Sequence, residues 1–433
     1  MNRIALSIAI AFVAVMPLPL PGIHAQSGVV IDSSSAENDF PDGVNFSVSF
    51  HSDVDLSDLK VTLRYTIPPE GANVYEEPEC EGNTKAQCTF NLKSGAKLFL
   101  VPGANVIYYW RVEDSEGNAV ETKPATFVYD DKRFDWKSTT EGNLTIWYYA
   151  GDESEVRSLL QTGIEGLARM EHLLNTKVAF PVKVFLYDSA GDMQPAALSY
   201  VDSPEAGVVT LGEVFFSDTA VVASDWRPHD VLRHELAHIV TRQAVKGPFG
   251  NLPAWLSEGT AGYAQAELLS NEEKALESAI EDDDVLSLRA MSSSSLAHTS
   301  INVSLYYGQS WSIVSFLIDT SGEEKFAELF ATFKEGSTVD KAFQRVYGFD
   351  LDGLENAWRE SLGLQPREAT GQQGQSTPVP QLTPFDGSGG GSEGQQAGRD
   401  DGGGFPIAVV AGLAVIGGAI VAAAGVAAMR RRG

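Results

Sequence analysis

The stretch R-H-E-L-A-H-I-V, residues 233–240, sets two histidines four positions apart with a glutamate beside the first: His234, Glu235 and His238. At helical pitch that spacing is about 400° of rotation and about 6 Å of rise, so both imidazoles leave one face of the helix. The surrounding H-D-V-L-R-H-E-L-A-H-I-V-T-R-Q-A-V puts Val231, Leu232, Leu236, Ile239 and Val240 on apolar positions. That pattern predicts a helix buried near a core. Two histidines buried there without a metal or another partner would be costly. His229, closer to the helix start, reads as a cap-region or surface residue.

Two neutral imidazole nitrogens on one face offer two corners of a tetrahedral zinc site. Glu235, one position on from His234, is turned aside from the metal, where it serves as a general base on a water. A pattern with three fixed positions recurs by chance in unrelated proteins, so a third ligand is required. The stretch N-L-P-A-W-L-S-E-G-T-A-G-Y-A-Q-A-E-L-L supplies Glu258, 20 positions beyond His238. Pro253 suits the first turn of a helix. Trp255, Leu256, Gly262 and Tyr263 pack one face and leave Glu258 inward, in an apolar setting where an unpaired carboxylate is expensive.

H-E-x-x-H followed about twenty residues later by W-L-x-E-G resembles the gluzincin metallopeptidases, which include the thermolysin-like and aminopeptidase-N-like families. The nearest likeness is to the peptidase MA-like domains of bacterial exported proteins, over roughly 134–365. The resemblance implies one Zn2+ per chain held by His234, His238 and Glu258, with Glu235 as catalytic base and proton shuttle. It also implies an edge strand that pairs with extended substrate. In E-A-G-V-V-T-L-G this is Ala206, Gly207, Val208 and Val209, continuing to Thr210, although an internal strand reads equally. Gluzincins use a tyrosine to stabilise the oxyanion; Tyr307 stands at that position, Tyr306 is the alternative, and a core aromatic is the rival reading. The chain lacks the G-x-M-E-N stretch of the aminopeptidase branch, so an exopeptidase assignment does not follow. Ser257 stands where that branch has Asn.

The rest of the chain sets the frame. A length of 433 residues implies more than one domain. A net charge of −27 argues against nucleic acid as a partner, because phosphate binding needs clustered Lys and Arg. Residues 1–25 read as a signal peptide, with Arg3 before an apolar run and a small residue at Ala25. Residues 26–131 read as short strands punctuated by Gly, Pro, Asn and Asp, a β-sandwich resembling immunoglobulin or fibronectin type III domains. G-V-N-F-S-V-S-F-H-S-D, L-K-V-T-L-R-Y-T-I, A-K-L-F-L-V-P-G, N-V-I-Y-Y-W-R-V-E-D and P-A-T-F-V-Y-D-D supply the strands, and a hairpin turns at 116–118. Cys80 and Cys88 are expected to form a small-loop disulfide in an oxidising compartment.

Residues 132–365 read as strands followed by helices, giving an α+β fold class overall, with 270–300 as a loop or loosely packed helix. Residues 366–404 are a Gly/Ser/Gln/Pro-rich linker. Residues 405–429 are expected to form a transmembrane helix, and 430–433 a basic cytoplasmic tail. The implied protein is a single-pass bacterial cell-membrane peptidase with its domains outside, whose partners are a peptide or protein substrate and the lipid bilayer. Oligomeric state has no signal in the sequence. Sequons at Asn45, Asn143 and Asn302 matter only in a host that glycosylates. The rival readings are a surface binding or scaffold protein with an inactive peptidase-like domain, and a zinc hydrolase of non-peptide bonds.

Overall fold

The structure is a computed structural model describing residues 28–197, 208–367 and 419–423, less 70, 72, 96, 97, 216, 217, 248, 249 and 293–302. The expected signal peptide 1–25 and most of the linker 366–404 lie outside the described residues. The N-terminal region is β-rich: β1 (Val29–Asp39), β2 (Gly43–Ser52), β3 (Leu59–Thr66), β4 (Val74–Glu76), β5 (Glu79–Gly82), β6 (Lys85–Lys93), β7 (Ala104–Asp114), β8 (Ala119–Glu121) and β9 (Ala125–Tyr129). One sheet runs β1-β2-β6-β5; the other runs β4-β3-β7-β8, with β9 also on β7. Strict alternation buries Val44, Phe46, Val48 and Phe50 from β2 and Val106, Tyr108, Trp110 and Val112 from β7. With period-2 side chains, this turns one face of each sheet onto a shared core.

Two details of the sequence reading change here. The described residues of A-K-L-F-L-V-P-G, 98–103, make a single bridge from Leu98 to Gly95 and no longer strand, and Leu100 and Val101 are buried from this irregular segment. The β5–β6 hairpin carries strands that the apolar runs did not mark, because β6 exposes Lys85, Gln87 and Thr89 between its buried positions. Cys80 sits directly opposite Cys88 in that hairpin, and the two are disulfide-bonded.

The second region holds β10 (Lys137–Glu141), β11 (Leu144–Tyr148), α1 (Glu153–Leu173), β12 (Val182–Tyr187), α2 (Ala190–Met193), β13 (Val208–Phe215) and β14 (Thr219–Ala223). Helices then dominate: α3 (Pro228–Ala244), α4 (Ala254–Ala264), α5 (Ser270–Glu281), α6 (Leu288–Met291), α7 (Val303–Ser321), α8 (Glu323–Lys334), α9 (Val339–Tyr347) and α10 (Leu351–Ser361). The sheet order is β10-β11-β12-β14-β13, with β11, β12 and β14 parallel and the outer pairs antiparallel. Residues 270–281, read from sequence as loop or loose helix, form a regular helix, α5, packed on α7. Glu272, at its third position, bonds back to the Leu269 backbone, a capping arrangement, and the acidic first turn of Glu272 and Glu273 suits the positive end of the helix dipole.

The central strands read as unbroken apolar runs because both faces of the sheet are covered. Val182, Val184 and Leu186 of β12, with Ala220 and Val222 of β14, join the helical core. Phe185, Tyr187, Val221 and Ala223 face the other way and join the core of the β-rich region. The sheet therefore separates two cores, with α3 on the helical side.

Among the described residues no helix is long and apolar enough to cross a membrane. Of the 405–429 segment only Ala419–Ala423 are described. They form a strand, β15, antiparallel to β13, with Val208 opposite Ala423. A transmembrane helix over 405–429 is not shown. An extended apolar segment satisfies the backbone groups that the edge of β13 would otherwise leave unpaired.

Candidate metal centre

Helix α3 begins with Pro228 in its first turn, where a missing N–H costs nothing. Asp230 steadies that turn through Arg227 and Arg233 and accepts from the Ala266 N–H at 3.2 Å, tying the start of α3 to the end of α4. His229 Nδ1 meets Thr162 Oγ1 of α1 at 2.7 Å, bridging helices outside the centre. From Val231 onward α3 is buried nearly all round, including His234, Glu235 and His238. Helix α4 follows Pro253 and crosses α7 closely at Gly259, where a β-carbon would overlap the Ser310 carbonyl. That crossing sets Glu258 against the histidines.

His234 Nε2 lies 3.4 Å and His238 Nε2 3.5 Å from Glu258 Oε2, and each of these three buried atoms lacks a hydrogen-bond partner. Native interiors rarely leave polar atoms in this condition. Three such atoms within 4.8 Å of one another, two imidazole nitrogens and a carboxylate oxygen, are the donor set of a zinc site, and the two separations from the carboxylate match the edge of a tetrahedron with bonds of about 2.0–2.1 Å. The residues therefore fit the ion that the motif implies. His234, His238 and Glu258 are also the one group of His, Cys, Asp and Glu that could hold a metal among the described residues.

The charge states agree with that donor set. Burial pushes the His234 imidazole down to about 4, with His238 adding to the shift and Glu258 opposing it. Burial alone would raise the Glu258 carboxyl, but His238 and His234 outweigh it and hold the group at about 2. Both side chains are thus metal-ready at neutral pH.

Glu235 has the opposite character. Its carboxyl is raised well above the ordinary range, first by burial, then by Glu258 and Glu213, with Arg242 pulling the other way. Both of its oxygens are buried without a hydrogen-bond partner. It lies under β13 at Gly212, where a β-carbon would stand 2.7 Å from Glu235 Oε1. Only glycine there leaves the carboxylate its room. A carboxyl raised by burial and neighbouring anions, set beside a metal donor set, has the properties of a general base.

The remaining expected residues divide. Tyr307 is buried with its ring centroid 6.3 Å from that of His234, and burial first, then Glu258, pushes its hydroxyl far up. Tyr306, the alternative, donates instead to the Met291 carbonyl at 3.1 Å and belongs to the packing of α7. Ala206 and Gly207 lie outside the described residues. Val208 and Val209 are in β13, with β15 alongside them. Ser257 Oγ stands 3.2 Å from His238 Nδ1, and Gln265 Nε2 stands 2.9 Å from His234 Nδ1. Gln265 and Gly212 were not singled out from sequence, because Gln265 lies past the last motif position and Gly212 matters only through the strand–helix approach.

Comparison with known proteins adds the following. No curated protein matches the chain. Similar solved structures include an M1 zinc metallopeptidase from Deinococcus radiodurans, 13% identical, covering 79% of this chain and 96% of that one, with a TM-score of 0.35. A variant of that enzyme bound to a Tyr-Ser-Ala substrate is 12% identical, covers 77% and 94%, and has a TM-score of 0.35. A purple acid phosphatase from yellow lupin (Lupinus luteus) seeds is 12% identical, covering 37% and 30%, with a TM-score of 0.19. A family model described as the Peptidase MA superfamily matches residues 162–363. Residues 162–363, which carry the three converging donor atoms and the glutamate beside them, are thus similar to the Peptidase MA superfamily.

Proposed function

We propose that the chain is a zinc-dependent peptidase, with His234, His238 and Glu258 as ligands and Glu235 as general base. The single observation carrying this reading is the convergence of three buried, unpartnered donor atoms beside a buried carboxylate of raised pKa. Zinc bound there supplies Lewis acidity to the scissile carbonyl and makes the attacking water more acidic. Glu235 takes the proton from that water as its oxygen adds to the carbonyl carbon. It returns the proton to the departing amine nitrogen as the C–N bond breaks. Tyr307 donates its hydroxyl hydrogen to the carbonyl oxygen as negative charge builds there. The outer edge of β13 pairs with the extended substrate backbone, a role supported by its acceptance of β15 in the same manner.

We further propose export and anchoring at a bacterial cell membrane. Residues 406–429 contain no charged residue and are followed by Arg430, Arg431 and Arg432, a pattern that suits a stop-transfer span. Insertion of that segment would withdraw Ala419–Ala423 from β13. The immunoglobulin-like character of the β-rich region belongs to the same proposal.

Digestion of a peptide library by the full-length chain in detergent tests the activity. The expected outcome is zinc-dependent cleavage that Glu235→Gln abolishes while the variant still holds its metal. Equal cleavage by wild type and Glu235→Gln would overturn the mechanism. Stoichiometric zinc without peptide hydrolysis would favour a scaffold role or another substrate class.

A further inference from the structure

Gln265 caps the end of α4 and is buried, and among the described residues its side-chain amide touches one polar partner, His234 Nδ1 at 2.9 Å. The amide meets that nitrogen through Nε2, and its Oε1 is buried with no partner. A neutral imidazole carries one ring hydrogen, so what faces Nδ1 decides where the hydrogen sits. When the Gln265 amide donates to Nδ1, the hydrogen is on Nε2, the atom that a metal needs bare. That nitrogen faces Glu258 Oε2 at 3.4 Å, an arrangement suited to the metal-free form. A half-turn of the amide about its last torsion brings Oε1 to Nδ1. The ring hydrogen then belongs on Nδ1, and Nε2 is bare beside His238 Nε2 and Glu258 Oε2.

An amide has a donor end and an acceptor end and can serve both forms; a carboxylate can serve only the second. The other ligand ring is held in the same ambivalent way, since the Ser257 hydroxyl at His238 Nδ1 either donates or accepts.

We propose that Gln265 is a positioning residue for the metal: its amide sets the tautomer of His234, presenting Oε1 to Nδ1–H when Nε2 is ligated and the amide N–H to bare Nδ1 when it is not. This rests on the reading of His234, His238 and Glu258 as zinc ligands.

The test is zinc affinity of the purified full-length chain, measured by competition with a chromophoric chelator, beside the thermal midpoint of the metal-free protein. Gln265→Met keeps the shape and removes both polar ends, and is expected to weaken zinc binding about 10–100-fold, with a lower metal-free midpoint because buried Nδ1 loses its amide donor. Gln265→Glu keeps an acceptor and is expected to bind zinc at least as tightly as wild type. The proposal is overturned if Gln265→Met binds zinc within about threefold of wild type, or if Gln265→Glu is weakened about tenfold or more. Should Gln265→Met fail to fold, Gln265→Glu decides alone by the same criterion. Wild type that binds no zinc would instead remove the ligand reading on which the inference stands.

Discussion

Two buried polar clusters lie on opposite faces of the same sheet, and they are built to opposite rules. On the face toward the β-rich region, Asp131 is fully buried and accepts from Arg133 Nε at 2.9 Å, Arg133 Nη2 at 2.6 Å and the Tyr187 hydroxyl at 2.9 Å. Its backbone carbonyl takes the Trp136 indole N–H at 2.8 Å, inside an aromatic cluster that includes Phe134 and Tyr149. Every oxygen of the Asp131 side chain is served. On the helical face, His234, His238, Glu235 and Glu258 are buried just as deeply, yet each keeps at least one polar atom without a hydrogen bond. A satisfied cluster fixes structure, whereas convergent unsatisfied atoms are a local cost that folding tolerates only where a ligand will meet it. The difference separates scaffold from site without reference to any relative.

The largest effect that would break this comparison is on turnover. Glu235→Gln preserves shape and removes the proposed base, and kcat is expected to fall about 10²–10⁴-fold in a peptide-cleavage assay, with zinc content unchanged. A fall of less than about threefold would move Glu235 from the chemistry to the packing. Next is the scaffold cluster. Asp131→Ala strands the Tyr187 hydroxyl and loosens Arg133, and should cost about 1–3 kcal/mol in denaturant unfolding while zinc affinity stays at the wild-type value. A change in zinc affinity with unaltered stability would reverse the roles assigned to the two faces.

A smaller effect sharpens the comparison through pH. In the metal-free protein the Glu235 carboxyl is raised in the fold above its unfolded value of about 4.3. Below that value both states hold the proton, and the group has no cost. As pH rises through the window between the unfolded and folded values, the unfolded state ionises while the folded state resists, so stability is lost. Metal-free Glu235→Gln should therefore melt with wild type near pH 4 and above wild type at pH 8. A melting difference that does not vary with pH would contradict the account.

Much of the site was legible in sequence because its chemistry rides on local spacing. His234, Glu235 and His238 share one helix, and Glu258 stands in a second short motif, so helical spacing and that second motif together bring the four residues of the proposed site into view. Tyr307 could be named but not separated from Tyr306 by spacing. The hydrogen bond of the Tyr306 hydroxyl to the Met291 carbonyl of α6 is a tertiary contact that spacing does not reveal. Gln265 and Gly212 were invisible because their roles arise only when α4 and β13 close on α3. The fold was legible where alternation was strong, as in β2 and β7. It was missed where a strand was mostly polar, as in β6, and where an apolar run such as A-K-L-F-L-V-P-G fed the core from an irregular segment. The pairing of Ala419–Ala423 with β13 was not legible at all, since composition there speaks for a membrane and says nothing of a partner strand.

The measurement that bears most directly on the central claim is the zinc content of purified full-length protein, wild type against Glu258→Ala and Glu235→Gln. The account predicts about one zinc per chain in wild type and in Glu235→Gln, and a large loss in Glu258→Ala, because one carboxylate is a ligand and the other is not. Zinc retained by Glu258→Ala at the wild-type level, or none in wild type after metal-replete purification, would contradict it.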